Sequence, residues 1–214
     1  MLNRDPMIYV VDDEAPVLRA LRRLLTATGH TVICFDSAKR FLDEHDPAAH
    51  GCVVLDLSMP PASGLDIQQE LAARGSPLAI IFLTGRGDIP SSVRAMRAGA
   101  VDFLTKPVDR DDLLNAVQRA FEQSLVARRT QAAQDHASGR LAMLTPRERE
   151  VLSHLITGKL NKQIAADLGT VEKTIKVHRA RVLRKMNVGS IAELVRLAVL
   201  LGRAAASAGT SRPS

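Results

Sequence analysis

The sequence predicts an α/β unit, a helical linker and a small all-α unit. Three observations predict this. Residues 1–120 alternate short apolar runs with amphipathic stretches, the pattern of a parallel sheet covered by helices. Beyond about residue 141 the strand-like runs cease and only helix start and stop signals remain. The charge divides in the same region: residues 1–120 carry 13 Lys and Arg against 16 Asp and Glu, net −3, and the remainder carries 16 against 7, net +9. A chain of 214 residues has room for two domains of ordinary size.

The strands read as Ile8–Val11, Thr31–Phe35, Cys52–Leu55, Ala79–Leu83 and Asp102–Leu104. Helical periodicity follows each, starting near Pro16, Ser37, Gly64, Pro90 and Arg110. In the first helix Leu18, Leu21, Leu24 and Leu25 share one face while Arg19, Arg22 and Arg23 take the other, so the leucines are expected on the sheet. The first domain is placed at residues 6–122. Residues 123–140 are alanine-rich and polar, helical in propensity but poor in core residues, and read as a helical linker with a break at Ser138-Gly139.

The second domain, residues 141–201, opens on Thr145-Pro146-Arg147-Glu148. Thr145 can cap a helix, Pro146 suits its first turn and Glu148 completes a capping box. That helix is expected to stop at Gly158. A second spans Lys162–Leu168 before a turn at Gly169, a third runs from after Thr170 to Met186, and a fourth starts at Ser190. Residues 202–214 read as a low-complexity, flexible tail. No apolar run approaches the ~18 residues of a membrane span, and Met1–Pro6 has no apolar signal core, so the expectation is a cytoplasmic protein without a membrane partner. Cys34 and Cys52 are isolated in apolar runs and read as small core residues. His30, His45, His50, His136 and His154 are scattered without metal-site spacing.

In an open parallel sheet, ligands gather at the carboxyl ends of the strands. Asp12, Asp13 and Glu14 end the first strand and Asp56 ends the third. These two strands are neighbours in the flavodoxin-like order 2-1-3-4-5, so their acids can converge. Converging carboxylates repel unless a cation joins them, and a hard ion such as Mg2+ suits oxygen ligands. The fourth strand ends at the hydroxyl of Thr84 and the fifth leads to the ammonium of Lys106. Acids, hydroxyl and ammonium together describe phosphoryl transfer onto a carboxylate.

Asp12/Asp13, Asp56, Thr84 and Lys106-Pro107, with Met59-Pro60 and Ser63-Gly64, resemble the receiver domain of two-component response regulators. The resemblance implies Asp56 as phosphoacceptor, with Thr84 and Lys106 binding phosphoryl oxygens. It also implies Mg2+ held at Asp12, Asp13, Asp56 and Ser58, Thr84 and Phe103 as the switch pair, and a cis Lys106–Pro107 peptide. Two rivals fit less well. A dinucleotide site needs glycines where Asp12-Asp13-Glu14 stand, and a phosphatase of the haloacid dehalogenase kind needs a second acid at the position of Ser58.

In the basic region a short helix, a glycine turn and a longer basic helix make a helix-turn-helix. On the third helix Ile175, Val182 and Met186 share a core face, leaving Lys173, Lys176, Val177, Ala180 and Arg184 for a major groove. Leu144-Thr145, Arg147-Glu148, Val151-Leu152, Asn161-Lys162, Ile164-Ala165, Leu168, Thr174, Val177-His178 and Lys185 resemble the DNA-binding domain of LuxR-type regulators. The whole chain resembles the FixJ/NarL class, FixJ-like members above all. That resemblance implies base contacts from Lys176, Val177 and Ala180 and further DNA contacts from Lys162, Lys173, Thr174, Arg181 and Arg184. It also implies a sensor histidine kinase as donor, duplex DNA as target, a homodimer when phosphorylated, activation of transcription and contact with RNA polymerase. The chain is then a regulator, not an enzyme, beyond accepting and hydrolysing its own phosphoryl group. The rival is a helical bundle that recognises another protein.

Overall fold

A computed structural model of the chain describes residues 5–47, 49–85 and 89–209, with side chains to residue 202. The chain forms two compact units, Met1–Arg129 and Thr130–Ser214.

In the first unit β1 (Met7–Val11), β2 (Thr31–Phe35), β3 (Gly51–Asp56), β6 (Ala79–Thr84) and β7 (Asp102–Thr105) form one parallel sheet in the order β2-β1-β3-β6-β7. A two-stranded hairpin, β4 (Ser58–Met59) and β5 (Ala62–Ser63), lies outside this sheet. Setting it aside, the order is the expected 2-1-3-4-5. The strand period of two divides the core. Tyr9, Val11, Val53, Leu55, Ile80 and Phe82 face Phe41 of α2 (Ala38–Glu44), Ile67 and Leu71 of α3 (Gly64–Ala73) and Ala95 of α4 (Ile89–Arg97). Ile8, Val10, Cys52, Val54, Ile81 and Leu83 face Leu21 and Leu25 of α1 (Ala15–Ala27) and Leu113, Ala116 and Val117 of α5 (Arg110–Ala142). Cys52 is buried in this second layer and Cys34 packs at its edge. Gly51 allows the tight entry to β3: its φ is +133°, and a Cβ there would lie 2.0 Å from the Met7 carbonyl oxygen.

The second unit contains α6 (Pro146–Ile156), α7 (Asn161–Asp167), α8 (Glu172–Met186) and α9 (Ile191–Gly209). Thr145 and Glu148 make the expected capping box at the start of α6. Leu144, Val151, Leu155, Ile164, Ala165, Ile175, Val182, Met186 and Leu194 form the core.

Two sequence expectations fail. Ser138-Gly139 is no break, because α5 stays helical to Ala142. A glycine inside a helix costs about 1 kcal/mol, and the last turns are anchored: Ala137 is buried, Leu141 packs on the second core, and Arg140 donates to the Met186 carbonyl at 3.2 Å. Nor does helix end at Gly202. α9 continues through the alanine-rich run to Gly209, in keeping with the high helix propensity of alanine. Residues 210–214 lie outside the described residues. Among the described residues no helix is long and apolar enough to cross a membrane.

Candidate functional site

Parallel pairing brings the acids together. Val11 of β1 is in register with Leu55 of β3, so Asp12 and Asp56 leave the sheet side by side. The Asp12 amide donates to the Phe35 carbonyl at 3.2 Å and its Oδ1 accepts from the Glu14 amide at 2.9 Å; Asp56 Oδ1 accepts from the Ser58 amide at 3.2 Å. Asp12 is 1% exposed and Asp56 5%, while Asp13 faces solvent. Thr84 closes β6 and is buried, and the Lys106 amide donates to its carbonyl at 2.7 Å. The Lys106–Pro107 peptide is cis, as is Pro60–Pro61 in the β4–β5 turn.

From this anchored loop Lys106 reaches back over the acids. Its Nζ lies 2.7 Å from Asp12 Oδ2, 3.1 Å from Asp56 Oδ2 and 3.2 Å from Glu14 Oε1. Burial draws the Lys106 pKa down, but its pairing with the carboxylates of Asp12, Asp56 and Glu14 outweighs this and leaves it above the usual lysine range. Burial holds the Asp12 carboxyl above its ordinary range, against the opposing pull of Lys106.

One ammonium does not satisfy the cluster. Carboxylate oxygens of Asp12, Asp13 and Asp56 all lie within 4.8 Å of one another. Asp12 Oδ2 is enclosed and meets Lys106 as an ion pair, without an aligned hydrogen bond. A buried, under-satisfied oxygen beside two further carboxylates is a donor set that suits a hard divalent cation. Phe103, on β7, is half-buried with its ring centroid 6.3 Å from that of Phe82. Gly64 starts α3 directly behind the acceptor position: a Cβ there would lie 2.5 Å from the Asp56 carbonyl oxygen and 2.9 Å from Phe82 Cε1.

In the second unit Ile175, Val182 and Met186 turn α8 inward, as its periodicity indicates. Lys162, Lys173, Lys176, Val177, Ala180, Arg181 and Arg184 are exposed, and Thr174 is half-buried. His178 is half-buried with Nδ1 enclosed and without a hydrogen-bond partner among the described residues. Opposite the exposed face, Glu148 is only 3% exposed; its carboxylate takes the Thr145 amide at 2.9 Å and the Lys185 ammonium at 2.6 Å. The Lys185 hydrogen bond, with the Thr145 amide, lowers the Glu148 pKa to about 2.

A family model described as the response regulator receiver domain matches residues 8–118. A second, described as bacterial regulatory proteins of the luxR family, matches residues 142–198. The chain belongs to the response regulators with a LuxR-type DNA-binding domain. Response regulator protein TodT of Pseudomonas putida is 43% identical over 92% of this chain and 87% of its own length. Transcriptional regulatory protein FixJ of Azorhizobium caulinodans is 43% identical over 95% of this chain and 96% of its own. Among solved structures, response regulator StyR superimposes with a TM-score of 0.75 at 43% identity, over 91% of this chain and 98% of that one. Full-length FixJ from B. japonicum gives 0.56 at 41%, over 94% and 99%. This response regulator is thus a two-component transcription regulator of the FixJ type.

The sequence points to the regulator's acids, Thr84 and Lys106, but not to three contacts that the fold creates. Glu14 joins Lys106, Glu148 pairs with Lys185, and Glu172 lies 3.2 Å from Lys176. Of these only the Glu172–Lys176 pair, four residues apart on one helix, carried a sequence signal.

Proposed function

We propose that Asp56 accepts a phosphoryl group from a sensor histidine kinase, and that the charge so placed controls DNA binding by the second domain. The observation that carries this is the convergence of Asp12, Asp13 and Asp56 under the Lys106 ammonium at the strand ends. An Asp56 carboxylate oxygen attacks phosphorus, the bond to the donor nitrogen breaks, and the phosphoryl oxygens then need cationic and hydrogen-bonding partners. Lys106 already stands 3.1 Å from the acceptor carboxylate and can turn to those oxygens, and Thr84, the last residue of β6, would offer its hydroxyl to them. Mg2+ would be held by Asp12, Asp13 and Asp56, with Ser58 beside them, and would supply the positive charge that an anionic acceptor needs to receive an anionic group. Attack of water on the same phosphorus releases phosphate and restores the carboxylate, so the chemistry assigned to the chain is acceptance and hydrolysis of its own phosphoryl group.

In this reading the receiver occupies residues 6–122 and the DNA-binding domain residues 141–201. Phosphorylation moves Thr84 and Phe103 to a second state and favours a homodimer across α4, β7 and α5, around Val93, Arg97, Phe103 and Arg110. Ile89, Val93 and Met96 leave apolar surface exposed on α4, in support of that face. Asp102 is already paired with Arg119 of the same chain, so of the nearby acids Asp111 is the one assigned to pairing across the two-fold axis. Paired DNA-binding domains then occupy paired half-sites in duplex DNA through Lys162, Lys173, Thr174, Lys176, Val177, Ala180, Arg181 and Arg184. The result is transcription activation in the cytoplasm with RNA polymerase as partner.

Asp56→Asn tests the acceptor. The variant keeps the shape and loses the nucleophile, so it folds but takes no label from a small phosphodonor. Wild-type labelling requires Mg2+. Undiminished labelling of the variant, or labelling in excess chelator, refutes the assignment.

A further inference from the structure

Glu172 is the one acid on α8, and it is exposed at the edge of the face assigned above to DNA. It precedes Lys176 by one turn and Ala180 by two, so the three form a single stripe. Its carboxylate meets Lys176 Nζ at 3.2 Å, with the side chains 47% and 65% exposed. An exposed pair of this kind is weak in water and does not hold Lys176. A first-turn acid also complements the helix dipole. Both effects explain why glutamate is tolerated in the free protein. Neither explains a carboxylate on a surface that must approach phosphates, where it is repelled unless it finds a donor.

We propose that Glu172 determines sequence specificity by selecting cytosine in the major groove. An ionised carboxylate only accepts hydrogen bonds. In the major groove guanine offers two acceptors, thymine an acceptor and a methyl group, and adenine a donor beside an acceptor. Cytosine alone offers a donor, its N4 amino group, without an acceptor on the same edge. Lys176 has the opposite requirement and matches guanine O6 and N7. One helix turn advances about 5.4 Å and one base pair about 3.4 Å, so the two side chains address base pairs one or two apart. In free protein Glu172 and Lys176 satisfy each other. On the right sequence each exchanges that contact for a base; on a wrong one the carboxylate faces an acceptor and opposes binding. Glu172 therefore lowers affinity for DNA in general and raises discrimination.

This inference rests on α8 as the DNA-reading helix. The test uses the full chain, with and without a small phosphodonor, to select duplexes from a random-sequence pool, and compares wild type with Glu172→Ala and Glu172→Gln. Binding is then measured on the selected duplex with each base pair varied, over a range of salt concentrations. Wild type is expected to prefer cytosine about ten-fold at one position. Glu172→Ala loses that preference, binds the duplexes lacking that cytosine several-fold more tightly, and steepens the salt slope by up to about one. Glu172→Gln moves the preference toward adenine, whose donor and acceptor match an amide. Identical preferences in all three proteins overturn the inference. So does uniformly weaker binding of Glu172→Ala with a lower thermal midpoint, which marks a helix-stabilising role alone. If wild type selects no sequence, α8 as the reading helix fails first and the inference with it.

Discussion

Replacing Glu148 by glutamine should destabilise the DNA-binding domain selectively, and the size follows from its surroundings. The Glu148 pKa lies at about 2 in place of 4.5, chiefly through Lys185 and then the Thr145 amide. At 1.36 kcal/mol per unit, the folded state favours the ionised carboxylate by ~3 kcal/mol. Glutamine retains an acceptor for the Thr145 amide but removes the partner of Lys185, so the expected loss is ~2 kcal/mol. For a domain of this size that is a fall in thermal midpoint of about 8–16 °C. The pH dependence has a defined sign. A lowered carboxyl pKa stabilises the fold fully above about 4.5 and progressively less as the pH falls toward 2, so wild type and variant should converge in acid.

The aromatic content supplies an internal control. The chain has no Trp and a single Tyr, Tyr9, which is buried in the receiver sheet. Tyrosine fluorescence therefore follows the receiver alone, whereas far-ultraviolet circular dichroism follows helices in both units. The dichroism-detected transition of the second unit should fall while the fluorescence transition stays in place. A fall of less than about 3 °C, or one that persists undiminished at acid pH, would refute the ion-pair argument.

Three other outcomes are expected. Gly64→Ala forces a Cβ against the Asp56 carbonyl and the Phe82 ring, so it should slow phosphoryl labelling and lower the Tyr9-detected stability by more than ~1 kcal/mol; unchanged labelling would show that the acceptor loop yields freely. Arg97→Glu should label normally yet stay monomeric in sedimentation with phosphodonor. If phosphorylated wild type is itself monomeric at micromolar concentration while binding DNA tightly, dimerisation is not the mechanism. Lys176→Ala should relax sequence preference. If it weakens all duplexes equally and makes the salt slope shallower by about one, Lys176 contacts phosphate and not a base.

The sequence by itself determined an α/β part followed by an all-α part, the parallel sheet and its order, and which strand ends carry Asp12, Asp13, Asp56, Thr84 and Lys106. It could do so because these features are local or periodic. A strand of period two ends where its apolar run ends, and in a parallel sheet every such end lies on one edge, so acids tens of residues apart are placed together by topology. Capping boxes such as Thr145–Glu148 are likewise contained within four residues. Tertiary structure decided what depends on partners remote in the chain. Helix persists through Ser138-Gly139 because flanking Ala137 is buried and Leu141 packs on the second core, an anchoring that local propensity does not register. Glu148 finds Lys185 at 2.6 Å only because α6 packs on α8, and Lys106 bridges Asp12, Glu14 and Asp56 only because the loop after β7 is tied to Thr84. Such contacts leave no periodic trace: their energy comes from removing a particular pair of charges from water, which depends on three-dimensional burial and not on spacing.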